Sequence, residues 1–186
     1  MKERENWLSI GVMELAPLFE TYGYPLPEKI RVSCGFPSVK ARSINKAIGE
    51  HHAPANSKDG THEIFVSPVI DDPYQVFGVL IHELCHSATV GDGHKGRFPK
   101  VIRKFHLEGK PTATTVGDAF KANFQALVES LGQYPHAELS VFTRKTQSTR
   151  MLGAVCPSCN YKIRLAKKWA DMGLPVCVCG AKFNLS

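Results

Sequence analysis

Five consecutive residues, His82-Glu83-Leu84-Cys85-His86, combine side chains that can bind a metal ion and move a proton. His82 and His86 are four residues apart, so on a helix both imidazoles project from one face and can reach a single ion. Glu83 lies about 100° further round such a helix, where its carboxylate reaches a water on the metal. Two histidines and a glutamate in this HExxH order are typical of zinc peptidases. The pattern predicts His82 and His86 as zinc ligands and Glu83 as the catalytic general base.

The flanking sequence predicts that this motif lies on a buried helix. Asp72 is placed as the N-cap, Pro73 as the first helical residue and Gln75 as the partner in a capping box. Apolar residues then recur at steps of three and four, at Phe77, Leu80, Ile81, Leu84 and Ala88. Two histidines and a glutamate in such a core would cost free energy unless a ligand satisfied them.

A third ligand is needed, because catalytic zinc usually takes three protein ligands and leaves one position open. We favour His94, since the glycines on either side of Asp92 allow the chain to reverse after the helix and imidazole suits zinc. Asp92 is an alternative at shorter reach. A glutamate on a later element would be another solution, with Glu108 and Glu129 as candidates.

These motifs resemble a known family. HELCH, followed by HKGRF at 94–98 and LEGKPTAT at 107–114, is similar to the SprT-like metallopeptidase domain of bacteria and phages. That family has a third histidine after HExxH and a phenylalanine four residues beyond it, as at His94 and Phe98. The likeness extends to RVSCGFP at 31–37 and to the cysteine-rich tail.

The resemblance implies a zincin-like domain in which a small sheet packs on the HExxH helix. It implies the same roles for the matching residues: His82, His86 and His94 bind zinc, and Glu83 is catalytic. The Spartan proteases, distant eukaryotic relatives, cut proteins crosslinked to DNA, so a nucleic-acid-bound protein substrate is implied by relation alone.

The tail contains a second metal signal. Two close cysteine pairs, seventeen residues apart, predict a zinc ribbon with a structural four-cysteine site, formed by Cys156, Cys159, Cys177 and Cys179. Two disulfides are the alternative pairing. The remaining cysteines, Cys34 and Cys85, are expected to be small apolar core residues. The chain is therefore expected to bind two zinc ions, one catalytic and one structural.

The net charge of +6 is distributed unevenly. Residues 1–143 contain 15 Lys and Arg and 16 Asp and Glu, whereas residues 144–186 contain 8 and one. Basic and aromatic side chains alternate in this tail, as on surfaces that bind phosphates and stack bases. The predicted nucleic-acid surface comprises Arg150, Lys162, Arg164, Lys167, Lys168 and Trp169. A solvated basic face without a nucleic-acid partner is the alternative.

The expected architecture is α+β, with a metallopeptidase domain at 1–132, a linker at 133–153 and the ribbon at 154–186. Helices are predicted over 3–22, 98–107 and 117–131 and strands over 30–36, 46–51 and 63–67, with a loop at 54–60. The remaining histidines are expected on the surface or in loops: His51, His52, His62, His106 and His136. Candidate donors to the reaction's oxyanion are Tyr74, Lys95 and Arg97.

The sequence thus predicts a zinc metalloendopeptidase that acts on proteins, with nucleic acid bound through the ribbon. A nucleic-acid or transcription-complex adaptor with a structural or vestigial zinc is the alternative, and a metal hydrolase of non-protein amides is a third hypothesis. No apolar run approaches eighteen residues, and the first residues, MKERENW, are too charged for a signal peptide. A monomer in a reducing cytoplasm, without membrane contact, is expected.

Overall fold

The computed structural model describes residues 3–38, 47–140 and 151–186. The chain forms two compact units, Met1–Val141 and Phe142–Ser186. The described residues form mixed α and β structure with five α-helices and small sheets, so the expected α+β class is confirmed. The first unit contains α1 (Arg4–Thr21), β1 (Ile30–Cys34), β2 (Gly49–His52), β3 (His62–Val66), α2 (Pro73–Ala88), α3 (Phe98–Lys104), β4 (Leu107–Lys110), β5 (Ala113–Val116) and α4 (Asp118–Leu131). The second unit contains β6 (Met151–Val155), β7 (Lys162–Ala166), α5 (Lys167–Met172) and β8 (Asn184–Leu185).

The first unit has a three-stranded sheet in the order β1-β3-β2. The central strand β3 alternates buried and half-buried residues, as expected for a strand with one face on the core. It pairs in parallel with β1, Val32 opposite Ile64, and antiparallel with β2, His51 opposite Ile64. Within the described residues β2 is an edge strand, and this places Gly49 and His51 beside α2.

Helix α2 is the central element of this unit. Asp72 caps it as predicted, since its carboxylate Oδ1 accepts a hydrogen bond of 2.8 Å from the backbone N–H of Gln75. Pro73 occupies the first helical position, where its missing N–H leaves no donor unsatisfied. The apolar side chains from Val76 to Leu84 are buried on nearly all sides, because the sheet, α1, α4 and the hairpin of β4 and β5 surround the helix.

The segment after α2 differs from the sequence prediction. Helix α3 ends at Lys104 instead of residue 107, because His106 adopts a left-handed backbone conformation with φ of 56° that stops the helix. Residues 107–116 form an antiparallel hairpin, with Leu107 opposite Val116, in a segment where no strand was predicted. Helix α4 matches its predicted position and buries Phe120 and Phe124.

The residues that follow α4 pack on the first unit, although the sequence analysis assigns them to the linker. Tyr134 is buried and its ring meets Trp7 edge-on at 5.2 Å. The backbone N–H of Leu139 donates to the carbonyl of Pro68 at 2.8 Å. The first unit therefore includes residues 133–140 in addition to the predicted 1–132.

The second unit is a small sheet in the order β7-β6-β8, with β6 between two antiparallel partners. Its buried core consists of Ala154, Cys156, Cys177 and Phe183, so half of the buried core residues are cysteines. Strand β6 begins at Met151, before the predicted start of the ribbon at residue 154. In the described part of the chain, no helix has both the length and the apolar character that crossing a membrane requires.

Candidate active site and metal centres

The three histidines predicted as zinc ligands lie together. Nitrogen atoms of His82, His86 and His94 are within 4.8 Å of one another. His82 and His86 come from successive turns of α2, and His94 is brought back by a loop in which Gly91 and Gly93 have φ values of 89° and 57°. Small side-chain rotations would bring the nitrogens to the roughly 3.4 Å spacing of two ligands on tetrahedral zinc. The donor set and its geometry therefore fit a zinc ion.

Phe98, the residue four beyond His94, packs against all three imidazoles. Its ring stacks on His86 with 4.1 Å between centroids and an interplanar angle of 22°. It meets His82 and His94 edge-on at 5.0 and 5.2 Å. Because Phe98 is fully buried at the start of α3, it restricts the ring orientation of each histidine.

Burial keeps these imidazoles neutral, the state in which they can bind a metal. Desolvation, with a smaller contribution from His94, lowers the pKa of His82 to about 4. Desolvation and the neighbouring His82 lower the pKa of His86 to about 3. The pKa of His94 is also lowered by burial. At neutral pH, the three imidazoles are therefore already in the form that can bind a metal ion.

Glu83 is buried on α2 beside these histidines, with 6% of its surface exposed. Desolvation, and then the charge of Glu50, raises the pKa of Glu83 to about 8. Gly49 on β2 lies directly against the carboxylate: a Cβ at this position would collide with Glu83 Oε1 and come within 2.7 Å of Val79 Cγ1. Gly49 thus provides the space that the predicted catalytic side chain occupies. No sequence motif marks this glycine, because its only signal is a contact across the fold.

A hydroxyl group from the β4–β5 hairpin contacts His82. Thr114 Oγ1 on β5 is 2.8 Å from His82 Nδ1. This hydrogen bond leaves Nε2 as the nitrogen of His82 that is available to a metal. No sequence pattern marks Thr114 for this contact, because 32 residues separate it from His82.

A second histidine pair lies beside the ligands. His51 Nε2 on β2 is 2.9 Å from His62 Nδ1 on β3, and the His51 ring is parallel to that of His86 at 6.1 Å. Burial, followed by the neighbouring His62, lowers the pKa of His51 to about 4. His62 is 5% exposed, so its expected surface position is wrong. Cross-strand pairing on β2 and β3 brings these two histidines together, which their sequence separation does not indicate.

All four predicted residues of the site face one open cavity of about 990 Å³. Strand β2 forms one wall, with Gly49 and His51, and strand β5 forms another, with Thr114 and Val116. Helix α2 contributes His82, Glu83 and His86, and the glycine loop contributes His94. The cavity is therefore bounded by an edge strand and a hairpin, and the three-histidine cluster lies within it.

The alternative ligands have other partners. Asp92 accepts hydrogen bonds from the backbone N–H and the Nε of Arg97, at 2.7 and 3.0 Å, and braces the loop that carries His94. Glu108 lies on β4 with its carboxylate against Gly117, and Glu129 accepts a hydrogen bond from Gln125. Among the described residues, the cluster of possible metal ligands in this unit comprises only the three histidines.

The candidate oxyanion donors are not in the cavity wall. Tyr74 packs on the hydrophobic core from the first turn of α2, and Arg97 is held by Asp92. Neither these two nor Lys95 is among the described residues that line the cavity. The structure gives no support to these three assignments.

The four cysteines of the tail also form one cluster. Their sulfur atoms lie within 4.8 Å of one another, with Cys156 and Cys179 at 3.4 Å and Cys159 and Cys177 at 3.5 Å. These distances are close to the roughly 3.8 Å expected between thiolates on tetrahedral zinc and far from the roughly 2.05 Å of a disulfide. The cluster could therefore hold a metal ion.

Tight turns direct backbone N–H groups to two of the four cysteine sulfurs. Each pair is followed by a residue in the left-handed conformation, Asn160 with φ of 59° and Gly180 with φ of 89°. These turns direct the backbone N–H of Tyr161 to Cys159 and that of Ala181 to Cys179. The hydrogen bond from Ala181, the largest cause, lowers the pKa of Cys179 to about 6.

The other two cysteines are not in this cluster. Cys85 is fully buried in the first unit, as expected, and Cys34 is half-buried.

The predicted nucleic-acid residues that the structure describes lie on the surface of the second unit. On β7, Lys162 and Arg164 are exposed, and the alternate residues Ile163 and Leu165 pack on the core. On α5, Lys167 and Lys168 are exposed, and Lys168 Nζ lies 5.0 Å from the ring centroid of Trp169, which is 55% exposed. Arg150 lies outside the described residues.

Comparisons of the chain with protein-family models, with curated proteins and with solved structures each find no match.

Proposed function

We propose that the chain is a zinc-dependent metalloendopeptidase with a SprT-like, zincin-like first unit. One observation carries this proposal: the buried carboxylate of Glu83 and three neutral imidazoles face the same large, open cavity. A buried acid beside a set of convergent histidines is costly as a purely structural arrangement. Such perturbed groups in a cleft are characteristic of catalytic centres.

His82, His86 and His94 would hold the zinc ion. When bound there, zinc would polarise the scissile carbonyl and lower the pKa of a water molecule. Because three protein ligands are present and all of them face the cavity, a zinc ion held there would have room for a water molecule or a substrate, as catalytic sites do.

Glu83 would act as the general base and then the general acid. Its carboxylate takes a proton from the attacking water and gives it to the amine that leaves when the peptide bond breaks. The contact with Gly49 keeps this carboxylate beside the histidines and facing the cavity, where it can reach a water molecule.

The cavity walls favour an extended polypeptide as the substrate. Strand β2 is the edge of its sheet in the described residues, so its backbone can pair with a further strand. The edge position of β2 supports a protein substrate over a small amide, because only an extended polypeptide can pair with it along its length.

Casein cleavage by the zinc-loaded protein tests the proposal. Glu83→Gln should lower kcat by about 100-fold or more, the size expected for loss of a general base, with its zinc content unchanged. Glu20→Gln, which removes an exposed carboxylate on α1, is the matched control and should retain full activity. Equal cleavage by wild type and Glu83→Gln at equal zinc content would refute the proposal.

We also propose that the second unit is a four-cysteine zinc ribbon that binds nucleic acid through its basic face, defined here as Lys162, Arg164, Lys167, Lys168 and Trp169. The support is the exposure of these cations next to an exposed ring, an arrangement suited to phosphates and unstacked bases. A substrate bound to nucleic acid would then be brought to the protease by the ribbon.

Gel-shift assays with the whole chain at 50 mM salt test the basic face. The double variant Lys162→Ala, Arg164→Ala should weaken binding to single-stranded DNA about tenfold and reduce its salt dependence. Glu20→Gln, a charge change in the other unit, should bind as wild type does. Identical binding by the double variant and wild type, or no binding by either, would contradict this proposal.

A further inference from the structure

We propose that Thr114 is a positioning residue that fixes the ring orientation and the proton position of His82. This inference rests on the proposed zinc site and goes beyond it, because it assigns to the β4–β5 hairpin a part in holding the metal. The direct observation is the 2.8 Å distance between Thr114 Oγ1 and His82 Nδ1.

The chemistry of the pair fixes the roles of its atoms. A histidine that binds a metal through Nε2 carries its hydrogen on Nδ1, and that N–H needs an acceptor. The threonine hydroxyl oxygen has two lone pairs and can accept it. Thr114 thus satisfies the buried side of the His82 ring and selects Nε2 as the metal-binding atom.

The hairpin is held in place for this contact by a close approach to α2. A Cβ on Gly78 would collide with Val116 Cγ1, so only glycine lets β5 pack this near the helix. Gly78 precedes His82 by one helical turn, and Thr114 precedes Val116 by two residues, on the same face of β5. Four helical residues rise about 6.0 Å and two strand residues about 6.6 Å. The two spacings match, so packing of Val116 on Gly78 brings Thr114 level with His82.

The same hairpin is a wall of the cavity. Thr112, Ala113 and Thr115 line it along with Thr114. A substrate that displaces this wall would therefore act on the orientation of His82 through a single hydrogen bond. The hairpin and the His82 ring are therefore joined by a hydrogen bond, a contact that the HExxH motif alone does not indicate.

The test measures zinc binding and the His82 ring in the whole protein, independent of turnover. Thr114→Val keeps the shape of the side chain and removes the hydroxyl. It should lower zinc affinity at the three-histidine site by about 10- to 100-fold in chelator competition, the usual effect of losing such a partner. Nitrogen-15 NMR should show a protected His82 Nδ1–H proton in zinc-loaded wild type, and this signal should be lost in Thr114→Val. Histidine and cysteine resonances tell the two zinc sites apart.

Three further variants make the result specific. Thr114→Ser restores the hydroxyl and should recover both the affinity and the Nδ1–H signal. Thr21→Val makes the same substitution at an exposed threonine on α1 that does not line the cavity, and should leave both unchanged. Gly78→Ala should reproduce the loss seen in Thr114→Val, because it pushes Val116 and the hairpin away from α2.

Two outcomes would overturn the inference, and they are distinguishable. If wild type binds zinc at the three histidines and Thr114→Val binds it equally well with a protected Nδ1–H, Thr114 has no positioning role and the proposed function stands. If wild-type histidine resonances do not respond to zinc at all, the proposed function fails, and this inference fails with it.

Discussion

Replacing Glu83 with glutamine should stabilise the metal-free first unit at alkaline pH. Burial, with the charge of Glu50, raises the pKa of Glu83 from its ordinary 4.5 to about 8. The folded state thus holds this proton more tightly than the unfolded state, and the free energy of unfolding falls as pH rises from 4.5 to 8. Each pKa unit corresponds to about 1.4 kcal/mol. The ionised carboxylate therefore costs up to about 5 kcal/mol above pH 8.

Glutamine has the shape of the protonated side chain and does not titrate. The free energy of unfolding of Glu83→Gln should exceed that of wild type by about 1 kcal/mol at pH 5.5 and by about 5 kcal/mol at pH 9, the latter as an upper value. The lowered pKa values of His82 and His86 remove stability only as pH falls below 6.5. This loss is common to both proteins and cancels in the comparison.

Urea unfolding in the presence of a chelator measures the difference. Trp7 is 2% exposed in the core of the first unit and reports its unfolding, whereas Trp169 is exposed in the second unit. A Trp169→Phe background therefore isolates the signal. Glu20→Gln removes an exposed carboxylate and should change stability by less than about 0.5 kcal/mol at either pH.

The result that refutes this reasoning is a difference between Glu83→Gln and wild type that stays constant from pH 5.5 to pH 9. It would mean that the carboxylate is solvated in the folded state, so that burial does not raise its pKa. Addition of zinc supplies a second check. A divalent charge beside Glu83 favours the carboxylate, so zinc should remove most of the pH dependence of the difference.

Three other predictions concern the groups that support the two centres. Gly49→Ala should lower peptide hydrolysis at least about tenfold with zinc content unchanged, because the new Cβ displaces the Glu83 carboxylate; unchanged kcat would contradict this. Asp92→Ala should weaken zinc binding at the three histidines and not at the cysteines, because it removes the hydrogen bonds to Arg97 that hold the loop carrying His94. Chelator competition measures the zinc affinity, and an affinity equal to that of wild type would contradict this role of Asp92. Cys156→Ser should lower the zinc content by one ion per chain and make residues 151–186 sensitive to protease. The unfolding midpoint of the first unit, followed by Trp7 fluorescence, should not change. A protease-resistant tail would exclude a structural role for the metal.

The helix that carries the site could be predicted from the sequence, because its signals are local. The cap at Asp72, the apolar spacing to Ala88 and the glycines beyond it all act within a few residues of the chain. The reach of His94 back to the other two histidines follows from the same loop. For the cysteines, the spacing of the two pairs was sufficient to predict the cluster.

The supporting residues could not be predicted in this way, because their contacts join distant parts of the chain. Gly49 is recognisable only by the carboxylate of Glu83 against it, and Thr114 only by its distance to His82. The β4–β5 hairpin has no local signal, because the helix stop at His106 depends on a left-handed backbone that residues other than glycine adopt uncommonly. The pairing of β2 with β3 likewise brings His51 and His62 together without a local signal.

Burial of the three histidines and Glu83 also determines their protonation states. In the metal-free protein at pH 7, the pKa values place three neutral imidazoles and a protonated Glu83 in the cavity, so the cluster carries no net charge. A zinc ion would add two positive charges in a desolvated environment, and ionisation of Glu83 would offset one of them. Metal binding and release of the Glu83 proton are therefore expected to be coupled. Glu83 would therefore be ionised, and able to act as a base, only when the metal is bound.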